Sequence, residues 1–319
     1  MKSLAYILLL VLIIVLTLII TIEPFIIFLA KVGLERAFIG SSVSIGDCKL
    51  RLAHQLILFD IKIKKQGVYD SKICQIGIQF QPSVFLNRGV SVDSLKEAIT
   101  AVNLEIDYLD IQGLRLEGAY FKIGQLRETG GLYIQQLRYG KAKIREVNSR
   151  VRLSNNTLLL DSLTAKSLGG NIIGDLSFAI DDNREFLANL KFINFDLATI
   201  VDDFNLGKKI RMTGKLTGNL DFKGKGLGID AITGYFSTAE YGGVLIIKDT
   251  GLLENLARNS GQPLDILVES FKNYHYNTGV MRLSLENGDL ILDVGFDGET
   301  GKRNLNITLH DFKLRRHGL

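Results

Sequence analysis

The chain has 319 residues, with 38 basic and 34 acidic side chains and a net charge of +4. That balance leaves no electrostatic footprint for nucleic acid, so no nucleic-acid partner is expected. Glycine is plentiful at 32 and proline scarce at three; strand ladders need the N–H that proline lacks and tight turns need glycine, so the composition suits an extended sheet.

Leu4 to Ile22 is a run of 19 residues without a charge. As a helix it covers about 28 Å, close to the hydrocarbon thickness of a bilayer. Leu4, Leu10, Leu16 and Ile22 mark out this expected membrane anchor. A cleaved signal peptide would end in small residues, and Ile22-Glu23-Pro24-Phe25 has none. Lys2 and the terminal amine precede the span, while Glu23, Lys31, Glu35 and Arg36 nearly cancel after it. The positive-inside rule then favours a cytoplasmic N-terminus, with the body outside the cytoplasm. Phe25 to Phe38 continues as a helix beyond Pro24. Its apolar side (Phe25, Phe28, Leu29, Val32) either rests on the membrane surface or packs as a plain connector. Residues 1–38 form the anchor and juxtamembrane helix; 39–167 and 168–319 form the two parts of the body.

Beyond the anchor the pattern is a period of two, the signature of strands with one apolar face. Strands are predicted near 43–52, 56–64, 72–80 and 90–95, with a break at 81–89 led by Pro82. More follow near 101–117 (with a bend), 119–126, 131–139, 141–153 and 157–167. Cys48 and Cys74 fall in phase with apolar neighbours, two strands apart. That is about 9.5 Å, beyond the Cα reach of a disulfide, and predicts a pair of buried free thiols. The next strands cover 171–180 and 187–195. Leu197, Ile200, Val201 and Phe204 then take a helical spacing behind Asp196, a good N-cap. Arg211 to Lys223 alternates without error for thirteen residues, predicting one long strand. A strand at 243–247 precedes a short helix over 250–259. Leu264, Leu267, Val268 and Phe271 suit either a helix or a strand. Asn287-Gly288 is the preferred loop of a type I′ hairpin. It sets Leu285 against Leu290, Leu283 against Leu292, Met281 against Val294 and Arg282 against Asp293. Glu286 then sits beside Asp289, a like-charge pair that argues mildly against that register. The last strand, 304–312, turns Leu305, Ile307 and Leu309 inward.

The apolar phase of these strands gives the candidate binding face: Leu104, Ile106, Leu114, Leu116, Ile172, Leu176, Phe178, Leu190, Phe192, Met212, Leu216, Leu220, Phe222, Leu283, Leu285, Leu290, Leu292, Leu305, Ile307 and Leu309. No cluster of inward Arg or Lys is identified, which leaves a dicarboxylate substrate without support. Gly224-Lys225-Gly226-Leu227-Gly228 is read as a glycine turn, because a strand and not a helix follows it. The four histidines share no metal spacing with one another or with the cysteines, so neither metal nor cofactor is expected. No nucleophile has a base near it in sequence, and no catalytic residue is assigned; the expected protein is not an enzyme.

From Leu168 onward the order of pieces resembles the AsmA-like family of bacterial envelope proteins. The resemblance is carried by Gly169-Gly170-Asn171, Asp196-Leu197-Ala198-Thr199-Ile200-Val201, Met212-Thr213-Gly214-Lys215-Leu216-Thr217-Gly218 and Ile232-Thr233-Gly234-Tyr235-Phe236. Phe271-Lys272-Asn273-Tyr274-His275-Tyr276 with Leu290-Ile291-Leu292 and Asn304-Leu305-Asn306-Ile307 is most similar to the YdbH branch, sometimes labelled dicarboxylate transport. The resemblance implies a single-pass inner-membrane anchor with the bulk of the chain in the periplasm. It implies a mainly β fold, an elongated, taco-like antiparallel groove with two or three short helices. Phospholipid acyl chains would travel along that groove between inner and outer membranes, serving outer-membrane lipid homeostasis. An outer-membrane lipoprotein is the partner implied at the C-terminal edge. Around sixteen strands would span about 75 Å. Alternation alone does not separate an open groove from a closed sandwich. A scaffold assisting outer-membrane protein assembly stands as the alternative function.

Overall fold

The computed structural model describes residues 23–310, apart from 52–53, 90, 92–93, 95–96, 125–129, 182–183, 227, 239–241, 252 and 255–262. The anchor expected over Leu4 to Ile22 lies outside the described residues, and among those described no helix is long and apolar enough to cross a membrane. The fold is mainly β, built of antiparallel strands with a few short helices. It divides into two compact units, Met1–Leu137 and Arg138–Leu319.

The first unit opens with helix α1, residues 23–37. Strands β1 (Ser42–Ser44) and β2 (Asp47–Arg51) both pair with β3 (Gln55–Lys65). Next come β4 (Tyr69–Phe80), β5 (Ile99–Ile111) and β6 (Leu114–Gly124), each paired with its predecessor. β7 (Gly130–Tyr139) begins in this unit. The break after β4 is a helix, α2 (Pro82–Arg88), with proline in its first turn where no N–H partner is needed. Most of the strand expected at 90–95 lies outside the described residues; of those described, 91 is not in a strand and 94 is helical, as are 97–98. Ser94 explains this locally, since its hydroxyl accepts from Ser91 N at 2.7 Å and closes a turn. Expected strands 101–117 and 119–126 are instead one hairpin turning at Gln112-Gly113, where φ is 50° and 89°. Gln112 is an uncommon residue for that conformation, which hid the turn.

The core of this unit is Val43, Cys48, Leu58, Ile61 and Ile63, covered by Ile26, Ile27, Ala30 and Leu34 of α1. Cys48 and Cys74 stand on β2 and β4 with β3 between them, and both are free thiols. Only Cys48 is buried. Cys74 is half-buried because the β4–β5 register slips on either side of Ile73, taking it out of the regular ladder. Asp60 in β3 and Gly118 in β6 have φ of 51° and 60° at the same level. This irregularity reverses the alternation. The rows Ile61–Ile73–Ile106–Ala119 and Ile63–Ser71–Leu109–Leu116 therefore share one face.

In the second unit, nine strands lie side by side in the order β8 (Ala142–Ser154), β9 (Thr157–Ser167), β10 (Gly170–Ala179), β11 (Glu185–Asp196), β13 (Lys215–Lys225), β14 (Gly228–Thr238), β16 (Tyr274–Glu286), β17 (Asp289–Gly298) and β18 (Gly301–Leu309). The remaining two, β12 (Ile210–Met212) and β15 (Gly243–Ile247), pair with each other, and β15 pairs with the first residues of β16. The single strand expected over Arg211 to Lys223 is thus two strands, broken at Thr213-Gly214. Gly214 has φ of 126°, and an added Cβ there would lie 2.6 Å from Tyr276 Oη and 2.9 Å from Gly242 O. Crowding at that crossing, rather than the hydrophobic pattern, ends β12.

Helix α3 (Leu197–Asp203) follows β11. Its N-cap Asp196 accepts from Ala198 N at 2.9 Å and Thr199 N at 3.2 Å, as the spacing predicts. Residues 250–251 and 253–254 are helical, and the rest of the expected 250–259 helix lies outside the described residues. Residues 264–271, open between helix and strand, form helix α4 (Leu264–Phe271). At Asn287-Gly288 φ is 53° and 91°, and all four predicted cross-strand pairs have the predicted register. The like-charge pair Glu286 and Asp289 is tolerated beside the turn.

Candidate functional site

In the second unit the pairing register puts apolar side chains on one common face. On β10 and β11, Ile172 faces Phe192, Leu176 faces Ala188 and Phe178 faces Phe186. Leu190 faces Leu220 and Ala188 faces Phe222 across β11 and β13. Leu216 shares the phase of Leu220 and Phe222 on β13, and a bulge at Asn194 (φ 58°) brings Phe195 opposite it and onto the same face. Phe236 faces Met281 from β14 to β16. Leu283–Leu292–Ile307 and Leu285–Leu290–Leu309 extend the face over β16, β17 and β18. The opposite phase is wet, with Asp175 on β10, Asn189 on β11 and both Asn219 and Asp221 on β13.

Most of this apolar face is neither core nor freely exposed. Of the candidates in this unit, only Ile172 and Leu290 are buried, at 6% and 7% exposure. Ile307 and Leu309 are exposed at 40% and 47%, so the inward placement expected for β18 holds for the face and not for burial. Leu176, Phe178, Leu190, Phe192, Leu216, Leu220, Phe222, Leu283, Leu285, Leu292 and Leu305 are half-buried. Strands spaced at about 4.8 Å make the nine-strand face about 38 Å wide, and four rows of side chains along β11 make it about 20 Å deep. That is a footprint on the order of 800 Å², of which the half-buried side chains leave only part exposed.

One end of the face is closed. Leu245, Ile247, Leu253, Phe271, Tyr274, Tyr276 and Phe296 form a buried cluster there. Met212, placed on the binding face by the alternation, packs against this cluster instead, because β12 pairs with β15 and not with β11. The Tyr276 hydroxyl donates to Thr213 O at 2.5 Å, and burial pushes its phenol up to about 12. The Tyr274 hydroxyl donates to Gly301 O at 2.6 Å. One inward cation escaped the sequence reading: Arg303 faces Phe296 on the apolar side of β18, with Cζ 5.3 Å from the centre of the Tyr274 ring. Its signal was present in the phase it shares with Leu305 and Ile307.

In the first unit, Leu104, Ile106 and Leu116 are half-buried on the face that carries the core, and Leu114 lies at its rim with 44% exposure. Helix α1 is apolar on two sides. One side packs on the sheet; on the other, Phe25, Phe28 and Leu29 are 59%, 61% and 52% exposed. The wet face of this unit carries ion-pair ladders: Lys64 with Asp70 and Lys72 with Asp107, both at 2.8 Å, and Arg115 with Glu117 at 2.5 Å. A hydrogen bond from Lys64 holds the Asp70 carboxyl below its ordinary value. Each carboxylate has a cation on the same or a neighbouring strand, an arrangement that fixes register on a solvated surface.

A depression of about 630 Å³ lies on the wet face of the second unit, around the bulge at Ser162 and Gly174. Its lining is mixed: Ser162, Thr164, Asp175, Asn189, Lys191, Asn219 and Asp221 stand beside Leu163, Ile173 and Leu190, and Asp175 accepts from Ser162 N at 2.9 Å. Among the described residues no group of three or more His, Cys, Asp or Glu is placed to hold a metal ion. Gly226 has φ of 61° just after Lys225, which pairs with Gly228, so this glycine-rich segment joins β13 and β14 as a hairpin. Comparison with protein families, curated proteins and solved structures gives no match.

Proposed function

We propose that this protein is a membrane-anchored lipid carrier. Phospholipid acyl chains lie on the half-buried apolar face of the sheet, and the run Leu4 to Ile22 tethers the chain to the inner membrane with its bulk in the periplasm. The observation that carries the reading is the apolar face of the second unit, aligned over nine strands and half-buried along most of its length. A soluble sheet normally covers such a face with a second layer, since leaving it wet forfeits about 25 cal/mol for each Å². Acyl chains supply that cover without directional bonds, which suits a face with few polar groups. The resemblance to AsmA-like proteins of the YdbH branch points the same way and adds the direction between inner and outer membranes.

A second reading, an envelope scaffold, draws on β18. Among the described residues of its unit it pairs with β17 alone, which leaves an edge on which a partner's strand can add. Native mass spectrometry of the full chain, purified in an uncharged detergent without added lipid, separates the two. Phospholipid at a reproducible stoichiometry is the expected result. A lipid-free, monodisperse protein would overturn the carrier reading and put the scaffold first.

A further inference from the structure

Arg303 is a cation on the apolar side of its strand. Leu305, Ile307 and Leu309 follow it in the same phase, and Phe296 lies opposite. Two of its five N–H groups are used, by the backbone carbonyls of Lys302 at 2.9 Å and Thr300 at 3.1 Å. Its Nε is buried with no acceptor, and no carboxylate among the described residues forms an ion pair with it. Tyr274 stacks against the guanidinium and holds it at the closed end of the face. An unpaired donor at such a place is costly, and an arginine fork matches the geometry of a phosphate. The charge is also misplaced for a purely structural part: packing against Tyr274 would be served by an uncharged side chain.

We propose that Arg303 is the headgroup site of the apolar face, binding the phosphate of an anionic phospholipid whose acyl chains run along β16, β17 and β18. This inference rests on the carrier reading and deepens it: the tails supply affinity and the phosphate sets position and polarity. The full chain in uncharged detergent is titrated with dimyristoylphosphatidic acid and with dimyristoylglycerol, which share their acyl chains and differ by the phosphate. Wild type is expected to prefer the phosphatidic acid by about tenfold, the scale of one charge-assisted contact. Arg303→Gln is expected to bind both lipids equally at the diacylglycerol level. Arg303→Lys, which keeps the charge and loses the fork, is expected to retain part of the preference, and thermal melting checks that both variants fold. Equal binding of the two lipids by wild type, or an undiminished preference in a folded Arg303→Gln, would overturn the headgroup site while leaving the apolar face as carrier. Binding of neither lipid by wild type would overturn both, and saturation by inorganic phosphate alone would overturn the lipid as its source.

Discussion

Leu190→Asp places a carboxylate in the middle of the apolar face, between Gly174 on β10 and Leu220 on β13. Full burial of a leucine contributes about 2 kcal/mol, and Leu190 is half-buried, so its loss costs the fold about 1 kcal/mol. The poor strand propensity of aspartate adds up to about 1 kcal/mol. Melting should therefore fall by only about 2–8 °C, and the variant should fold. Binding should suffer more. An acyl chain lying over the introduced carboxylate must desolvate it, at about 2 kcal/mol or more, and loses the leucine contact as well. A total near 3 kcal/mol is roughly a hundredfold in Kd. The control is Asn219→Asp, on the wet face opposite Lys191, which adds the same charge where solvent accepts it. Lipid extraction from the two purified full-length variants, beside wild type, reads the outcome. A folded Leu190→Asp with its full complement of lipid would refute the assignment of this face, as would an equal loss in Asn219→Asp.

Tyr276→Phe removes the hydroxyl that ties β16 to Thr213 O and leaves that carbonyl without its partner, a loss of about 1–3 kcal/mol measurable as a urea midpoint. The phenol sits at about 12 when folded and about 10 when unfolded, so its contribution is intact below pH 10 and lost as pH rises towards 12. Tyr276→Phe should accordingly show a smaller decline between about pH 10 and 12, and an unchanged decline would remove Tyr276 as its source. Burial, then Glu23 and Asp47, pushes the Cys48 thiol up to about 11; Cys74 is raised too, chiefly by burial, yet is half-buried. Native alkylation at pH 8 should label Cys74 first and Cys48 only on unfolding; equal rates would contradict the burial difference. The chain has no tryptophan, so Phe28→Trp gives a sole reporter on the outward side of α1. Brominated phospholipid in the surrounding bilayer should quench it strongly if that side lies in the membrane interface, and an unquenched signal would place α1 in water.

Where local chemistry and hydrophobic phase agree, the strands were readable. The Asn287-Gly288 hairpin, with turn residues suited to positive φ and leucines matched across it, is such a case, and so is α3 behind Asp196. Two kinds of feature were not readable. One is a turn made by an ordinary residue: Gln112 adopts φ of 50° without belonging to the residue types that favour it, and the hairpin it makes passed for a bend. The other is a break imposed from another part of the fold. Nothing between Arg211 and Lys223 interrupts the alternation, and β12 ends because Tyr276 and Gly242 crowd Gly214. Met212 left the candidate face for that reason alone.

The irregular residues also explain how a period-two pattern yields a usable face. A strict alternation would put Ile106 and Leu109 on opposite sides of β5, and Phe192 and Phe195 on opposite sides of β11. Left-handed residues at Asp60, Gly118 and Asn194, with the register slips beside Ile73, return these side chains to the apolar side. Each such residue carries a conformational cost of order 1 kcal/mol, less where it is glycine or asparagine. Bulges also increase twist and bend a sheet. In the first unit the face kept in phase this way carries the core under α1, and a covered sheet needs it as much as a carrier does. For a carrier the added consequence is that a single polar side chain turned into the path of an acyl chain is a barrier of the size worked out for Leu190→Asp.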